Sequence, residues 1–149
     1  MCSSDLDWMI QKACELGVSS IRPMFTERSQ RIPGDVTKRV EHWRGVLIAA
    51  CEQCGRNLIP EIYAPVALTE ALSTLATQST VLLDADGDAS VSSIASDSTS
   101  IFVGPEGGFS PSEIELLRKR CDHKLRIGRT VLRAETAAIA ALASLSSLK

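Results

Sequence analysis

The sequence predicts an α/β domain in which a parallel sheet is covered by helices on both faces. Three observations predict it. Short apolar or β-branched runs alternate with segments of helical period along the whole chain. Capping residues and glycines punctuate the joins between them. With 149 residues, 44% of them apolar, the chain is long enough to bury one real core.

Taken in order, Ser4-Asp5-Leu6-Asp7 sets a cap before an acid. Trp8, Ile10, Ala13, Cys14 and Leu16 then form an apolar face until Gly17 stops the helix. Val18 to Pro23 is a β-branched run that reads as a strand. A polar stretch with Arg28, Arg31 and the turn Pro33-Gly34 follows. Asp35 caps a long second helix with Val36, Val40, Trp43, Leu47 and Cys51 at helical spacing, and Gly55 ends it. Leu58 to Tyr63 reads as a strand, Thr69 to Ala76 as a short helix and Thr80 to Leu83 as a strand. Residues 85 to 99 are rich in Asp, Ser and Gly and read as a loop with one strand turn around Val91 to Ala95.

Ser100 to Val103 is a short buried strand running straight into Gly104-Pro105-Glu106-Gly107-Gly108. Ser110, Pro111 and Glu113 open the next helix with an N-cap, a proline at the first helical position and the reciprocal acid of a capping box. Lys124 to Ile127 is the last strand, Gly128 breaks it, and Glu135 to Leu148 is the last helix. The whole of residues 1–149 is expected to be one domain, without internal repeats.

The net charge of −2 argues by itself against a nucleic-acid binder, but its distribution does not. Residues 61–117 carry nine carboxylates and no Lys or Arg, and a dense basic segment follows from 118. So polarised a chain can attract a polyanion locally despite its overall sign. Arg118, Lys119 and Arg120 read as a solvated helix face, whereas Arg126, Arg129 and Arg133 surround a glycine turn. The five cysteines are odd in number and scattered, which fits reduced thiols. Cys51 and Cys54 form C-x-x-C inside a helix with no second pair, and read as small buried apolar residues rather than a metal or redox site. Nothing is long and apolar enough to span a membrane, and the first residues lack a signal peptide, so a cytosolic protein is expected.

In open parallel sheets, ligands bind beyond the carboxyl ends of the strands. Three loops leave such ends: Asp84 to Gly87, Gly104 to Gly108, and Gly128 to Arg133. Glycine permits positive φ and close backbone approach, so Gly107-Gly108 can bring bare N–H and C=O groups against a flat ligand; an ordinary tight turn would need only one glycine. The loop matches neither dinucleotide nor P-loop spacing, and Glu106 beside a polyphosphate would repel it. An acidic setting better suits a ligand with positive charge. At the mouth of the last helix, Glu135 satisfies the helix dipole but Arg133 does not, which makes Arg133 the stronger functional candidate.

These motifs carry a resemblance. GPEGGFS (104–110) followed by IGRTVLRAETA (127–137) resembles the RsmE family of bacterial 16S rRNA uridine methyltransferases, of the SPOUT class with a trefoil-knotted α/β fold. QKACELGVSSIRP (11–23), TERSQ (26–30) and ACEQCGRNLIP (50–60) match in the same order, so that the likeness covers nearly the whole chain. It implies an S-adenosylmethionine site built by the three loops, with Leu83, Asp84, Gly104, Gly107, Gly108, Ile127, Gly128, Val131 and Leu132 as its positions, and no metal. It implies methyl transfer to N3 of a uridine in 16S ribosomal RNA or the small ribosomal subunit. Glu135 would assist proton removal and Arg133 would stabilise charge on the uracil oxygens. Arg28, Arg31 and Arg56 would meet RNA phosphates. The family's N-terminal PUA-like barrel is expected to be missing, because the chain starts almost at QKACELGV. A homodimer is implied, with the small-residue helix Ala137 to Ser144 packing at its interface unless that composition reflects helix propensity alone. Two other readings stay open: a non-catalytic RNA-binding or assembly module with the same fold, and a doubly wound nucleotide-binding enzyme.

Overall fold

The computed structural model describes residues 3–29, 34–76, 78–94 and 96–147. Helix α1 spans Ser3–Glu15 and α2 spans Val36–Cys54. Local chemistry sets both ends of α2: the Asp35 carboxylate accepts from the Thr37 N–H at 2.8 Å, and Gly55 takes φ +75° to donate to the Cys51 carbonyl. Trp43, Leu47, Ala50 and Cys51 on α2 pack with Ile10 and Cys14 on α1 as one buried cluster. Trp8 and Val36, expected on the apolar faces, are instead exposed at 44% and 45%. Of the C-x-x-C pair, Cys51 is buried but Cys54 is exposed. The unexpected neighbour is Cys14, whose Sγ lies 3.4 Å from that of Cys51. Burial and this contact push the Cys14 thiol up to about 11, so it stays protonated near neutrality.

The strands are β1 (Ser20–Ile21), β2 (Met24–Phe25), β3 (Glu61–Ile62), β4 (Val66–Ala67), β5 (Ser79–Leu83), β6 (Thr99–Phe102) and β7 (His123–Leu125). Every pairing among them is parallel, as predicted, but they form three ladders rather than one hydrogen-bonded sheet: β1 with β3, β2 with β4, and β6-β5-β7. β2 and β4 were not predicted. Ser20 pairs with Glu61, whereas Met24 pairs with Val66, so the segment joining β3 to β4 carries one more residue than that joining β1 to β2. Pro23 and Pro65 sit in that interruption, where a proline's missing N–H does no harm.

The three-stranded ladder is covered on both faces. Leu82 and Phe102 pack against α3 (Leu68–Ser73) and α4 (Pro111–Arg120) through Leu68, Leu72, Leu117 and Cys121. Val81 and Leu125 point the other way, to Ile94 and to Leu145 of α5 (Ala134–Ser146). Side chains alternate across a strand, so adjacent Val81 and Leu82 serve opposite layers. In place of the strand turn expected at Val91 to Ala95, Val91–Ser93 forms a single 3-10 turn, Ala95 lying outside the described residues. Predicted limits are otherwise shifted by one to three residues, most at the start of β3, expected at Leu58, and at the end of α3, expected at Ala76; Leu148, the expected end of the last helix, lies outside the described residues. No helix among the described residues is long and apolar enough to cross a membrane.

Candidate active site

The register of the central ladder decides where the loops emerge. Leu82 pairs with Phe102 and Leu83 with Leu125, so β5, β6 and β7 end level to within about one residue, all pointing the same way. The three loops named from the sequence therefore leave the sheet side by side, with the loop after β5 in the middle. Half-buried Leu83 and Ile127 extend the cluster of Val81, Ile94 and Leu125 up to this edge. Leu132 is half-buried as well, and Val131 is 90% exposed.

The loop after β5 is tied to β7 and to α4. The Asp84 N–H donates to the Leu125 carbonyl and the Ala89 N–H to the Lys124 carbonyl, both at 3.0 Å. Gly87 lies so close to β7 that a Cβ there would stand 2.4 Å from the Lys124 carbonyl oxygen. The Asp84 carboxylate receives Arg118 Nε at 2.6 Å and Nη2 at 3.0 Å, and Arg118 also reaches Asp86 at 3.0 Å. Arg118 is thus a brace for this loop and not merely part of a solvated face. Because the Asp84 side chain is committed to Arg118 and to the Asp86 N–H, a ligand would meet this position through its backbone.

Arg118 beside Asp84 holds that carboxyl below its ordinary value of 3.8, helped by the Asp86 N–H and opposed by burial. A folded-state pKa lowered in this way stabilises the fold above the unfolded value, and the contribution is lost as pH falls through the folded one. Asp84→Asn is therefore expected to flatten the decline of Tm with pH below about 4. A melting series over pH 2 to 6 checks this, and an unchanged slope would assign the acid sensitivity to other carboxylates.

The loop after β6 closes as a turn in which the Gly108 N–H donates to the Pro105 carbonyl at 2.8 Å. Gly108 takes φ +68°, where a side chain is strained even though space is open around it. Gly104 abuts the Phe109 ring, so that a Cβ would stand 3.1 Å from it. The capping box predicted for α4 is present, with Ser110 and Glu113 exchanging side-chain and backbone bonds. Glu113 has a second duty that its sequence position did not reveal: its Oε1 accepts the Glu27 N–H at 2.9 Å. Beside it, Arg28 donates to the Gly107 carbonyl at 3.1 Å. Residues 26–29, matched within TERSQ, are thereby docked on the second loop.

In the third segment Gly128 takes φ +75°, and the turn is braced from within as Arg126 donates to the carbonyls of Gly128 and Arg129 at 3.2 and 3.1 Å. Arg133 is the N-cap residue of α5, exposed and without a capping hydrogen bond from its side chain. Glu135 stands in the first turn, with Oε2 buried and unpartnered. A buried carboxylate oxygen without a donor is costly, and it marks a place where an incoming N–H would be welcome.

Arg56, expected to meet RNA phosphate, is tied to the fold by one of its nitrogens. Its Nη1 donates to the carbonyls of Cys14 and Val18 at 2.8 and 2.9 Å, half-buried against the end of α1. Satisfying helix-end carbonyls is what a cation does there, so Nη1 of Arg56 caps the end of α1. Arg31 lies outside the described residues. A cavity of about 1950 Å³ runs between α1, β1 and β6, and takes in Gly104, Gly107 and Arg28. Leu83, Ile127, Gly128 and Leu132 do not line it. The second loop thus borders both this cavity and the row of strand ends.

A family model described as an RNA methyltransferase domain matches residues 2–146. The chain belongs to that family. It is 32% identical over 140 residues to ribosomal RNA small subunit methyltransferase E of Mesomycoplasma hyopneumoniae, covering 92% of this chain and 62% of that one. The crystal structure of a ribosomal RNA small subunit methyltransferase E from Neisseria gonorrhoeae, bound to S-adenosyl methionine, superposes with a TM-score of 0.88 at 30% identity. That match covers 99% of this chain and 62% of the other. The SpoU methyltransferase AviRb from Streptomyces viridochromogenes, in complex with AdoMet, shares the fold at a TM-score of 0.60 and 21% identity over 99% of this chain and 56% of its own. An α/β fold of the SPOUT methyltransferase class is thus borne out, and the likeness is consistent with that class's knotted topology. The methyltransferase domain spans about three-fifths of the length of the relatives just named.

Proposed function

We propose that this domain transfers a methyl group from S-adenosylmethionine to N3 of a uridine in 16S ribosomal RNA. The observation that carries the reading is the level ending of β5, β6 and β7, which sets three glycine-containing loops side by side. Leu83, Ile127, Val131 and Leu132 supply apolar surface for the adenosine part of the donor. Gly104, Gly107, Gly108, Gly128 and the Asp84 backbone supply close N–H and C=O groups. The donor set fits the molecule: neutral backbone dipoles and acidic surroundings suit a cationic sulfonium, and no loop offers the lysine that polyphosphate would call for. When bound, S-adenosylmethionine supplies an electrophilic methyl group, which needs no metal.

The chain's own residues handle the base. A uridine N3 carries a proton and points into base pairs, so the nucleotide must be unpaired or flipped out. The buried, unpartnered Glu135 Oε2 accepts that proton, and the exposed Arg133 guanidinium donates to the uracil oxygens as charge grows on them. Arg28 and Arg31 contribute salt-dependent contacts to the RNA backbone. Ribosomal RNA as substrate puts the domain in the cytoplasm. We infer a homodimer, in which the exposed Val131 and the small-residue helix α5 meet a second copy.

Calorimetric titration with S-adenosylmethionine, S-adenosylhomocysteine and ATP tests the reading. The first two should bind and ATP should not; absence of both sulfur compounds from the binding isotherms would sink it. Gly108→Val should abolish that binding while circular dichroism stays native, because a β-branched residue at φ +68° cannot hold the turn. Retained affinity in this variant would remove the second loop from the donor site.

A further inference from the structure

The four residues 26–29 form a turn closed on itself. The Ser29 N–H and Oγ both donate to the Thr26 carbonyl, at 3.2 and 3.0 Å, and Ser29 Oγ accepts the Thr26 N–H at 2.9 Å. The turn is also fixed from outside at Glu27, whose N–H is held by Glu113 Oε1 at 2.9 Å and whose Oε1 accepts from Ser112 Oγ at 3.2 Å. Since Glu113 Oε2 simultaneously accepts the Ser110 N–H at 2.9 Å, one carboxylate pins both the turn and the start of α4. Arg28, between two such fixed residues, has little freedom in where its side chain begins.

That side chain lies along Gly107. A Cβ built on Gly107 would stand 3.5 Å from Arg28 Cβ and 4.0 Å from its Cδ, and Arg28 Nη1 donates to the Gly107 carbonyl at 3.1 Å. The same peptide group ends in the Gly108 N–H, which donates to the Pro105 carbonyl at 2.8 Å. The Gly107–Gly108 peptide plane is therefore held at both ends, its oxygen by Arg28 and its N–H by Pro105. Two adjacent glycines impose few backbone limits of their own, so outside contacts must set this plane.

We infer that Arg28 is a positioning residue for the methyl-donor site: through Gly107 it fixes the orientation of the second loop, with the Glu113 carboxylate anchoring the turn that carries it. The inference rests on the proposed donor site and adds a residue distant in sequence from all three of its loops. It also gives the acidic capping residue of α4 a part in ligand affinity. A charge-assisted hydrogen bond from an exposed guanidinium is worth enough to be seen in binding without being needed for folding.

The test uses the full chain and S-adenosylhomocysteine as the probe. Arg28→Ala is expected to weaken its binding by about tenfold, the lower end of what one charge-assisted hydrogen bond is worth, since this one is exposed. Arg28→Lys, which keeps a cationic donor, should bind within about twofold of the parent. Tm should be equal in all three proteins, and amide exchange at Gly108 should quicken in Arg28→Ala alone. If the parent binds and Arg28→Ala binds equally well, the positioning role is overturned while the donor site stands. Equal weakening in the Lys variant, or a matching fall in Tm, would also overturn it by making the residue structural. A parent chain that fails to bind the probe overturns both.

Discussion

Gly87→Ala is expected to destabilise the domain by about 3 kcal/mol, the upper end of what overpacking costs, and to lower Tm by about 10 °C. The methyl it adds would stand 2.4 Å from the Lys124 carbonyl oxygen, 2.6 Å from its carbon and 3.0 Å from the Arg126 nitrogen. These are backbone atoms and cannot swing aside like the end of a side chain. Relief requires the loop after β5 to separate from β7, which removes the Ala89 N–H to Lys124 carbonyl bond and strains that from Asp84 to Leu125. The effect should reach ligand affinity as well as stability, because the same junction sets two of the three loops side by side. Urea unfolding and a donor titration check this together; a variant with parental midpoint and affinity would show that the two loops are not rigidly joined.

Arg133→Ala is expected to lower the methylation rate by about 100-fold or more, the usual cost of removing a donor aimed at developing charge, while leaving donor affinity nearly unchanged. The structure supports so clean a separation. Arg133 enters α5 through its backbone, whose carbonyl accepts the Ala137 N–H at 2.8 Å, and its side chain makes no capping bond. Truncating it should therefore leave the helix start intact. Single-turnover methylation of small ribosomal subunits, alongside S-adenosylhomocysteine calorimetry, measures the two quantities separately. Parallel loss of both would make Arg133 structural.

What could be read from the chain follows the range of the forces involved. Asp35, Gly55, Ser110, Pro111 and Glu113 act on backbone groups a few residues away, so their caps were legible and stand where they were expected. The three loops were legible for the same reason, as glycines follow apolar strand runs. β2 and β4 were not, because two-residue strands beside prolines have neither length nor periodicity and exist only through their pairing. Long-range electrostatics was hidden altogether. Arg118 looked like any surface arginine until Asp84, 34 residues away, was found beside it. Arg56 looked equally free until the Cys14 and Val18 carbonyls were seen to enclose it. The docking of Glu27 and Arg28 on the second loop depends on pairs 86 and 79 residues apart, which no local pattern reports.

The all-parallel pairing of the strands has a kinetic consequence. Ser79 must find Thr99, Val81 must find His123 and Ser20 must find Glu61, so not one of these ladders can start from a tight hairpin. Each demands that a long loop close before its contacts are rewarded, and the central strand must wait for partners on both sides. Refolding should accordingly be slow for a chain of this length, because the apolar surface of β5 is fully covered only once partners have arrived on both of its edges.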